Sequence, residues 1–373
     1  MKETHPAARP VAGLVVVAIL VACGSSSDNS PSAPASVTSA RFAFAASFDA
    51  NSVSIFKIDP ATGLLSAGPA DVPTGDCIGP WYVEASGDGK FLFVACQTSN
   101  SVAAFSIDAA TGALAMVGSP VAAGASPGIP EVHPNGKFLY LSNIGGASVS
   151  AYSIGADGTL TEIAGSPYAA GLLPYAVKVS DSGAFVYVTN RDSDTVSVFA
   201  VDQDSGVLAE ISGSPFPARD GPRAIEFSGK YAFVANRFED TVSVFTVDPA
   251  SGALSEIAAS PFAAGDDPRS EVVDPSGRHL YVMNSISSDI TAYSIDADTG
   301  ALIQIAGSPF LVGTTLLSAV PPTIEMDSMG KLIYVSGSAS NAVAVFRVDE
   351  ATGALQPIQA AGTPGITSSI ALR

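Results

Sequence analysis

The sequence predicts an all-β fold, a seven-bladed β-propeller with four-stranded antiparallel blades. Three observations predict it. First, one phrase recurs seven times, its most aromatic run starting at Phe42, Phe91, Phe138, Phe185, Tyr231, His279 and Leu332, with spacings of 49, 47, 47, 46, 48 and 53 residues. A fixed period of this length marks a repeat architecture. Second, each copy holds four short runs rich in Val, Ile, Phe, Tyr and Thr, and no window carries a helical period. Third, the first copy opens on its second run, while the chain closes on an unmatched first run, TSSIAL at 367–372. A terminal strand that completes the first blade explains both ends. An eight-bladed ring or an open solenoid leaves both ends unexplained.

The four runs are called A to D. Strand A follows a Pro, as in PRAIEF at 222–227, because Pro cannot sit inside a ladder and marks its edge. Strand B is the aromatic–aliphatic run, as in FVYVTN at 185–190. Strand C alternates small polar with apolar residues, as in TVSVFTVD at 241–248, and D follows a Gly, as in GALSEIAA at 252–259. Between C and D stands Thr-Gly or Ser-Gly, such as Ser251-Gly252, the chemistry of a tight hairpin. Between D and A runs a longer loop with Ser-Pro-Phe and a second Pro, as at 260–268. A single blade cannot bury both faces, whereas a ring of blades can.

The first forty residues read differently. Residues 11–22 form an apolar run bracketed by Lys2 and Arg9 on its N-terminal side. It is too short to span a membrane and suits the core of a secretory signal. It ends Leu20-Val21-Ala22-Cys23, which resembles a bacterial lipobox and implies cleavage before Cys23 and acylation of its thiol. Residues 23–40 are rich in Ser, Pro and Ala and read as a disordered tether. The expected organisation is thus a lipoprotein signal at 1–22, a lipid-anchored tether at 23–40 and a propeller at 41–373. The expected location is the cell envelope, at the outer membrane or periplasm, with the lipid anchor as the sole membrane contact.

The formal net charge is −18, and removal of residues 1–22 takes away Lys2, Arg9 and Glu3 to leave −19. Such a surface excludes nucleic acid as a partner and disfavours anionic lipid. Nothing in the repeats calls for oligomerisation, and a monomer is expected. Cys77 and Cys96 remain after processing. Cys96 closes strand B of the second copy, and its partner strand A begins a few residues after Cys77, so an exported chain is expected to join them in a disulfide.

The A strands line the central channel of a propeller, so equivalent positions of the seven copies form columns around it. The column after the loop Pro reads Trp81, Gly128, Tyr175, Arg223, Arg269, Pro322 and Ser368. Three positions on it reads Glu84, Glu131, Lys178, Glu226, Val272, Glu325 and Ala371. Glu271 stands in an otherwise apolar column. Charges on an innermost strand must meet water, one another or a ligand. Arg223 and Arg269, on adjacent blades, are expected to hold a carboxylate or phosphate, with Glu226 or Glu271 as general base. Trp81, Tyr175, Glu84, Glu131, Lys178 and Glu325 complete the candidate binding set. Gly124–Gly128 matches G-x-S-x-G but lies in a D-to-A loop rather than a strand–turn–helix. His133 and His279 have no ligand-spaced partners, and no metal or cofactor is expected.

The phrases IAGSPY at 163–168, DPSGR at 274–278, FVYVTN at 185–190 and TVSVFAVD at 195–202 resemble the YVTN-repeat propellers. In particular the chain is similar to the lactonase-type family that includes 6-phosphogluconolactonase and carboxymuconate cyclase, over all of residues 41–373. That resemblance implies a hydrolase acting on a sugar or organic-acid lactone at the channel mouth, with Arg and Glu at the mouth in the manner of Arg223, Arg269, Glu226 and Glu271. The Asp-Leu-Gly stretch of the cytosolic lactonases is replaced here by Ser142-Asn143, Thr189-Asn190 and Ala235-Asn236. Two other readings stay open: a non-catalytic, lipid-anchored propeller that binds a protein, glycan or small molecule of the envelope, and an accessory subunit of a periplasmic redox enzyme.

Overall fold

The computed structural model describes residues 41–312, 323–337, 341–363 and 367–373. The signal at 1–22, Cys23, the tether at 23–40 and Pro322 lie outside the described residues. Seven antiparallel sheets form the seven blades, each with its A strand innermost. The A strands of blades 2 to 7 are Pro80–Ala85, Pro127–Val132, Pro174–Val179, Pro222–Ser228, Pro268–Val273 and Ile324–Met326. Blade 1 takes its A strand from the far end of the chain. Thr367–Leu372 pairs with Phe42–Ser47, Ala43 facing Leu372 and Ala45 facing Ile370. The Arg41 N–H donates to the Arg373 carbonyl at 2.6 Å, and the Arg373 N–H to the Phe42 carbonyl at 2.7 Å. The ring therefore closes as the end strands predicted.

Burial explains why strand B carries no alternation. All six residues of Phe185–Asn190 are buried, because both faces of a blade pack on neighbours. The core is accordingly seven inter-blade layers; one joins Tyr187, Val196 and Val198 of blade 4 to Ile225, Val234 and Phe245 of blade 5.

The recurring phrases hold neighbouring blades together. The first residue of each B strand packs on the turn glycine of the next blade. Gly252 has φ +77°, and a Cβ there would lie 2.6 Å from Phe185, so that turn needs glycine for both its backbone and its neighbour. Two residues on, the Tyr187 hydroxyl donates to the Gly252 carbonyl at 3.0 Å. Tyr140, Tyr281 and Tyr334 do the same to Gly206, Gly353 and Gly63.

Strand D departs from the sequence reading. Instead of one run at 252–259, blade 5 has Leu254–Glu256 and, after a Ser-Pro break, Phe262–Ala263, both paired with strand C. The Ser260 hydroxyl supplies the missing ladder acceptor, taking the Val244 N–H at 3.0 Å. Ser166, Ser214 and Ser308 serve Ala151, Val198 and Ala292 in the same way. The Ser of Ser-Pro-Phe thus stands in for a backbone carbonyl where Pro interrupts the sheet.

In blades 3 and 4, Asn at the end of strand B pins the loop that leads into strand A. Asn143 Oδ1 accepts the Gly124 N–H and Asn190 Oδ1 the Gly171 N–H, both at 3.0 Å. In blade 2 the same two positions are Cys96 and Cys77. They are joined by a disulfide with Cα atoms 5.4 Å apart, and both are fully buried.

Candidate functional site

Each A strand spends one edge on strand B and turns the other toward the axis, which leaves its outer N–H groups in need of acceptors. Three hydroxyls from neighbouring blades provide them. Ser270 accepts from Ile324 at 3.3 Å, Thr323 from Ile370 at 3.2 Å and Ser369 from Val83 at 3.0 Å. Blades 6, 7, 1 and 2 are latched in sequence. In blade 4 the Val179 N–H is instead accepted by Glu131 Oε1 of blade 3, at 3.3 Å.

Inside the ring lies a cavity of about 370 Å³, walled by A-strand residues of all seven blades. Glu84, Glu131, Lys178, Glu226 and Glu325 line it, and Glu271 borders it with both carboxyl oxygens buried. The column read from sequence thus converges. Lys178 Nζ sits 2.8 Å from Glu226 Oε1 and 3.9 Å from Glu131 Oε1. Burial works against the Lys178 charge, but Glu131, Glu226 and Glu84 together outweigh it and hold its pKa well above the usual range. Burial also pushes Glu131 up to about 8, with Glu84 and Glu226 adding to the shift and Lys178 opposing it. Glu325 is pushed to about 8 by burial and then by Glu84. Glu84 is raised chiefly by burial, against the pull of Arg373, whose guanidinium lies 3.9 Å away.

Glu271 is the outlier. It is 4% exposed, and neither carboxyl oxygen has a hydrogen-bond partner among the described residues. Burial raises its pKa well above the carboxylate range; Glu226 adds to this, and the nearby Ala235 amide and Lys178 offset only part of it. A buried carboxyl with no side-chain partner carries a desolvation cost that calls for an explanation.

The two arginines do not meet. Arg223 is 2% exposed and lies over the Tyr175 ring at 3.9 Å, with its Nη2 donating to the Tyr175 hydroxyl at 2.6 Å. The Tyr82 phenol lies close to this pair; burial raises its pKa well above the usual range, Tyr175 adds to it and Arg223 opposes it. Trp81 stacks on Tyr82 with ring centroids 6.2 Å apart and meets the Phe48 edge at 5.8 Å. Arg269 faces the cavity but is held by Asp267, whose Oδ2 is 2.6 Å from its guanidinium. The other oxygen of Asp267 accepts from Arg237 at 2.6 Å. Sequence columns missed Tyr82, Asp267, Arg237 and the three hydroxyls. An acidic residue just before the loop Pro of an Arg-bearing A strand was the available signal for Asp267.

The raised carboxyls fix a pH dependence. A carboxyl whose folded pKa exceeds its unfolded value binds the proton more tightly in the fold. Its contribution to stability is complete below about 4.5 and is lost as pH rises through about 8. Glu325→Gln removes this loss. Its melting temperature, compared with the parent from pH 5 to pH 9, is expected to gain with rising pH. The gain at the alkaline end corresponds to about 1–2 kcal/mol, because channel water screens a partly exposed group. Parallel curves would show that Glu325 ionises freely in the fold.

A family model described as Lactonase, 7-bladed beta-propeller matches residues 15–129, 128–219, 212–316 and 303–368. Among solved structures, a candidate 6-phosphogluconolactonase of Bacteroides uniformis ATCC 8492 is 19% identical, covers 90% of this chain and 100% of its own, and superposes with a TM-score of 0.78. A second, from Bacteroides fragilis NCTC 9343, is 20% identical with 91% and 100% covered and a TM-score of 0.77. The periplasmic gluconolactonase of Pseudomonas aeruginosa is 18% identical, with 89% and 98% covered and a TM-score of 0.75. At these identities the likeness carries the fold. No curated protein matches the chain in sequence.

Proposed function

From the premise that the chain belongs to the seven-bladed lactonase family, we propose that it hydrolyses a neutral lactone of a sugar or organic acid in its channel cavity. The observation that carries this reading is Glu271, a buried carboxyl without a side-chain partner at the border of a cavity large enough for a small ligand. Turned into the cavity and ionised, Glu271 takes a proton from water. The water oxygen bonds to the lactone carbonyl carbon, and Arg269, fixed by Asp267, faces the oxyanion that develops. The ring C–O bond then breaks, and the proton held by Glu271 passes to the departing alkoxide, leaving a hydroxy acid. A strongly raised pKa makes Glu271 a strong base once ionised, so turnover rises with pH through that value.

Charge selects the substrate class. Glu84, Glu131, Glu226, Glu325 and Lys178 face the cavity, Arg269 is neutralised by Asp267, and Arg223 is covered by Tyr175. Among the described residues the cations at the cavity are already engaged, Lys178 by Glu131 and Glu226 and Arg269 by Asp267, which favours an uncharged lactone over a phosphorylated one. The test is proton release from a panel containing gluconolactone and 6-phosphogluconolactone, corrected for spontaneous opening. Turnover of the neutral lactones supports the reading; no turnover of any member defeats it. The closed Lys178–Glu131–Glu226 cluster favours a second reading, a non-catalytic propeller whose channel charges satisfy one another. An inactive panel would leave that reading in front.

We place the protein outside the cytoplasm, with residues 1–22 removed and Cys23 acylated. The buried Cys77–Cys96 disulfide supports an oxidising compartment, and the Pseudomonas aeruginosa relative is periplasmic. Cys23→Ala is expected to move the protein from the membrane fraction to the soluble fraction of expressing cells. Retention in the membrane would remove the lipid anchor.

A further inference from the structure

The first residue of strand B departs from the repeat once. In six copies it carries a ring, as Phe42, Phe91, Phe138, Phe185, Tyr231 or His279, and each ring packs against the turn glycine of the next blade. In blade 7 the position is Leu332, which packs against Gly63 of blade 1 and is only half-buried. Its cross-strand partner changes with it. That partner is Ser, Thr or Ala in blades 2 to 6, but Arg347 in blade 7. Directly opposed residues of a ladder share a face, so Arg347 leaves the sheet on the same side as Leu332, toward blade 1. Where the ring is missing, a cavity of about 240 Å³ lies between blades 7 and 1. Leu332, Met329 and Tyr334 line it from one side, the turn at 58–63 from the other, and Arg347 joins them. It shares no residue with the channel cavity. All its charges but one are engaged. Asp59 Oδ1 accepts the Ala61 and Thr62 N–H groups, Asp327 Oδ1 accepts those of Lys331 and Leu332, and Lys331 Nζ is 3.2 Å from Glu350. Arg347 is exposed and has no ion-pair partner among the described residues.

We propose that this cavity between blades 7 and 1 binds a small aromatic carboxylate, its ring in the slot that Leu332 leaves open and its carboxylate on the Arg347 guanidinium. The fold provides for a ring at this position in the other six blades, and Leu332, Met329 and Ile58 offer the ligand an apolar wall. A guanidinium without a partner matches a carboxylate through two parallel N–H···O bonds. A cationic ring would instead meet Arg347 unopposed, since the carboxylates nearby are held by backbone N–H groups or by Lys331. The volume of about 240 Å³ lies below the roughly 300–1,000 Å³ of sites for drug-sized ligands, which limits the ligand to a single ring. This inference does not rest on the lactonase reading, since it concerns another cavity and binding alone.

The test is a ligand-observed nuclear magnetic resonance titration of the full chain with phenylacetate at fixed ionic strength, alongside acetate and 2-phenylethylamine. Saturable binding of phenylacetate is expected. Acetate lacks the ring and the amine lacks the anion, so each is expected to bind at least about tenfold more weakly. Leu332→Phe restores the ring of the other copies and fills the slot. It is expected to weaken phenylacetate by at least about tenfold while melting no lower than the parent, as cavity-filling changes toward a repeat's common residue do. Should that variant fold poorly, Arg347→Gln, which removes an exposed charge, is expected to weaken phenylacetate by about tenfold. No saturable binding by the parent overturns the proposal, as does equal binding by the parent and either folded variant. So does binding of acetate or of 2-phenylethylamine as tight as that of phenylacetate.

Discussion

Deletion of residues 367–373 is expected to unfold the propeller rather than to trim it. The segment is the A strand of blade 1, and removing it takes the ladder from Ala43 to Ser47 and uncovers both sides of the closure. Ile370 and Leu372 are buried at 1% and 6% exposure, and burying each is worth about 1.5–3 kcal/mol. The loss also frees the Val83 N–H that Ser369 accepts and the Ala85 and Ser86 carbonyls that Arg373 satisfies, at about 1 kcal/mol apiece. Against a total stability of roughly 5–15 kcal/mol, that sum is of the same order as the whole. Thermal unfolding by circular dichroism should show the cooperative transition lost or strongly depressed. The exposed edge at Phe42–Ser47 should promote aggregation. A truncated chain that melts like the parent would mean that the other inter-blade layers hold without a closed ring.

Glu271→Gln carries the largest expected effect on activity. Removing a general base costs about a hundredfold to ten-thousandfold in turnover. The carboxamide keeps the size of the side chain, so far-ultraviolet dichroism should be unchanged. Stability separates a catalytic from a structural role. Because the folded pKa of Glu271 is raised, the parent loses stability as pH climbs above the ordinary carboxylate value toward that raised one, while the Gln variant does not. The variant should therefore be as stable as the parent near pH 5, more stable at pH 9, and slower than the parent by that factor at pH 9. Retained lactone turnover would exclude Glu271 as the base and leave Glu226, already paired with Lys178, as the remaining candidate.

Much of this architecture was legible because it is written in periodic chemistry. Strand B stands where the FVYVTN phrase placed it, at Phe185–Asn190, and the end strands met as their mismatch required. The channel column was legible for a similar reason. A charge in the innermost strand violates the burial pattern of its neighbours, so Glu84, Glu131, Lys178, Glu226 and Glu325 stood out and share one cavity. What was not legible depended on side-chain direction. Arg223 and Arg269 are neighbours in a column, yet one folds over Tyr175 and the other turns to Asp267. Column position sets depth along the channel and leaves the partner of a long side chain undetermined. Strand D was misjudged because the hydroxyl of Ser260 substitutes for backbone, a role that a propensity scale assigns to no residue.

The disulfide of blade 2 joins the positions that a hydrogen bond joins in blades 3 and 4: Cys96 and Cys77 there, Asn143 and Gly124 or Asn190 and Gly171 elsewhere. Reduction would therefore remove one fastening of this loop and leave those of blades 3 and 4 in place, while Asn51 still accepts the Gly79 N–H at 2.8 Å. Both sulfurs are fully buried, so the freed thiols could be alkylated only when that loop opens. Blade 2 thus carries a clock for breathing: the labelling rate in reductant reports how often the loop before its A strand opens far enough to bare a thiol.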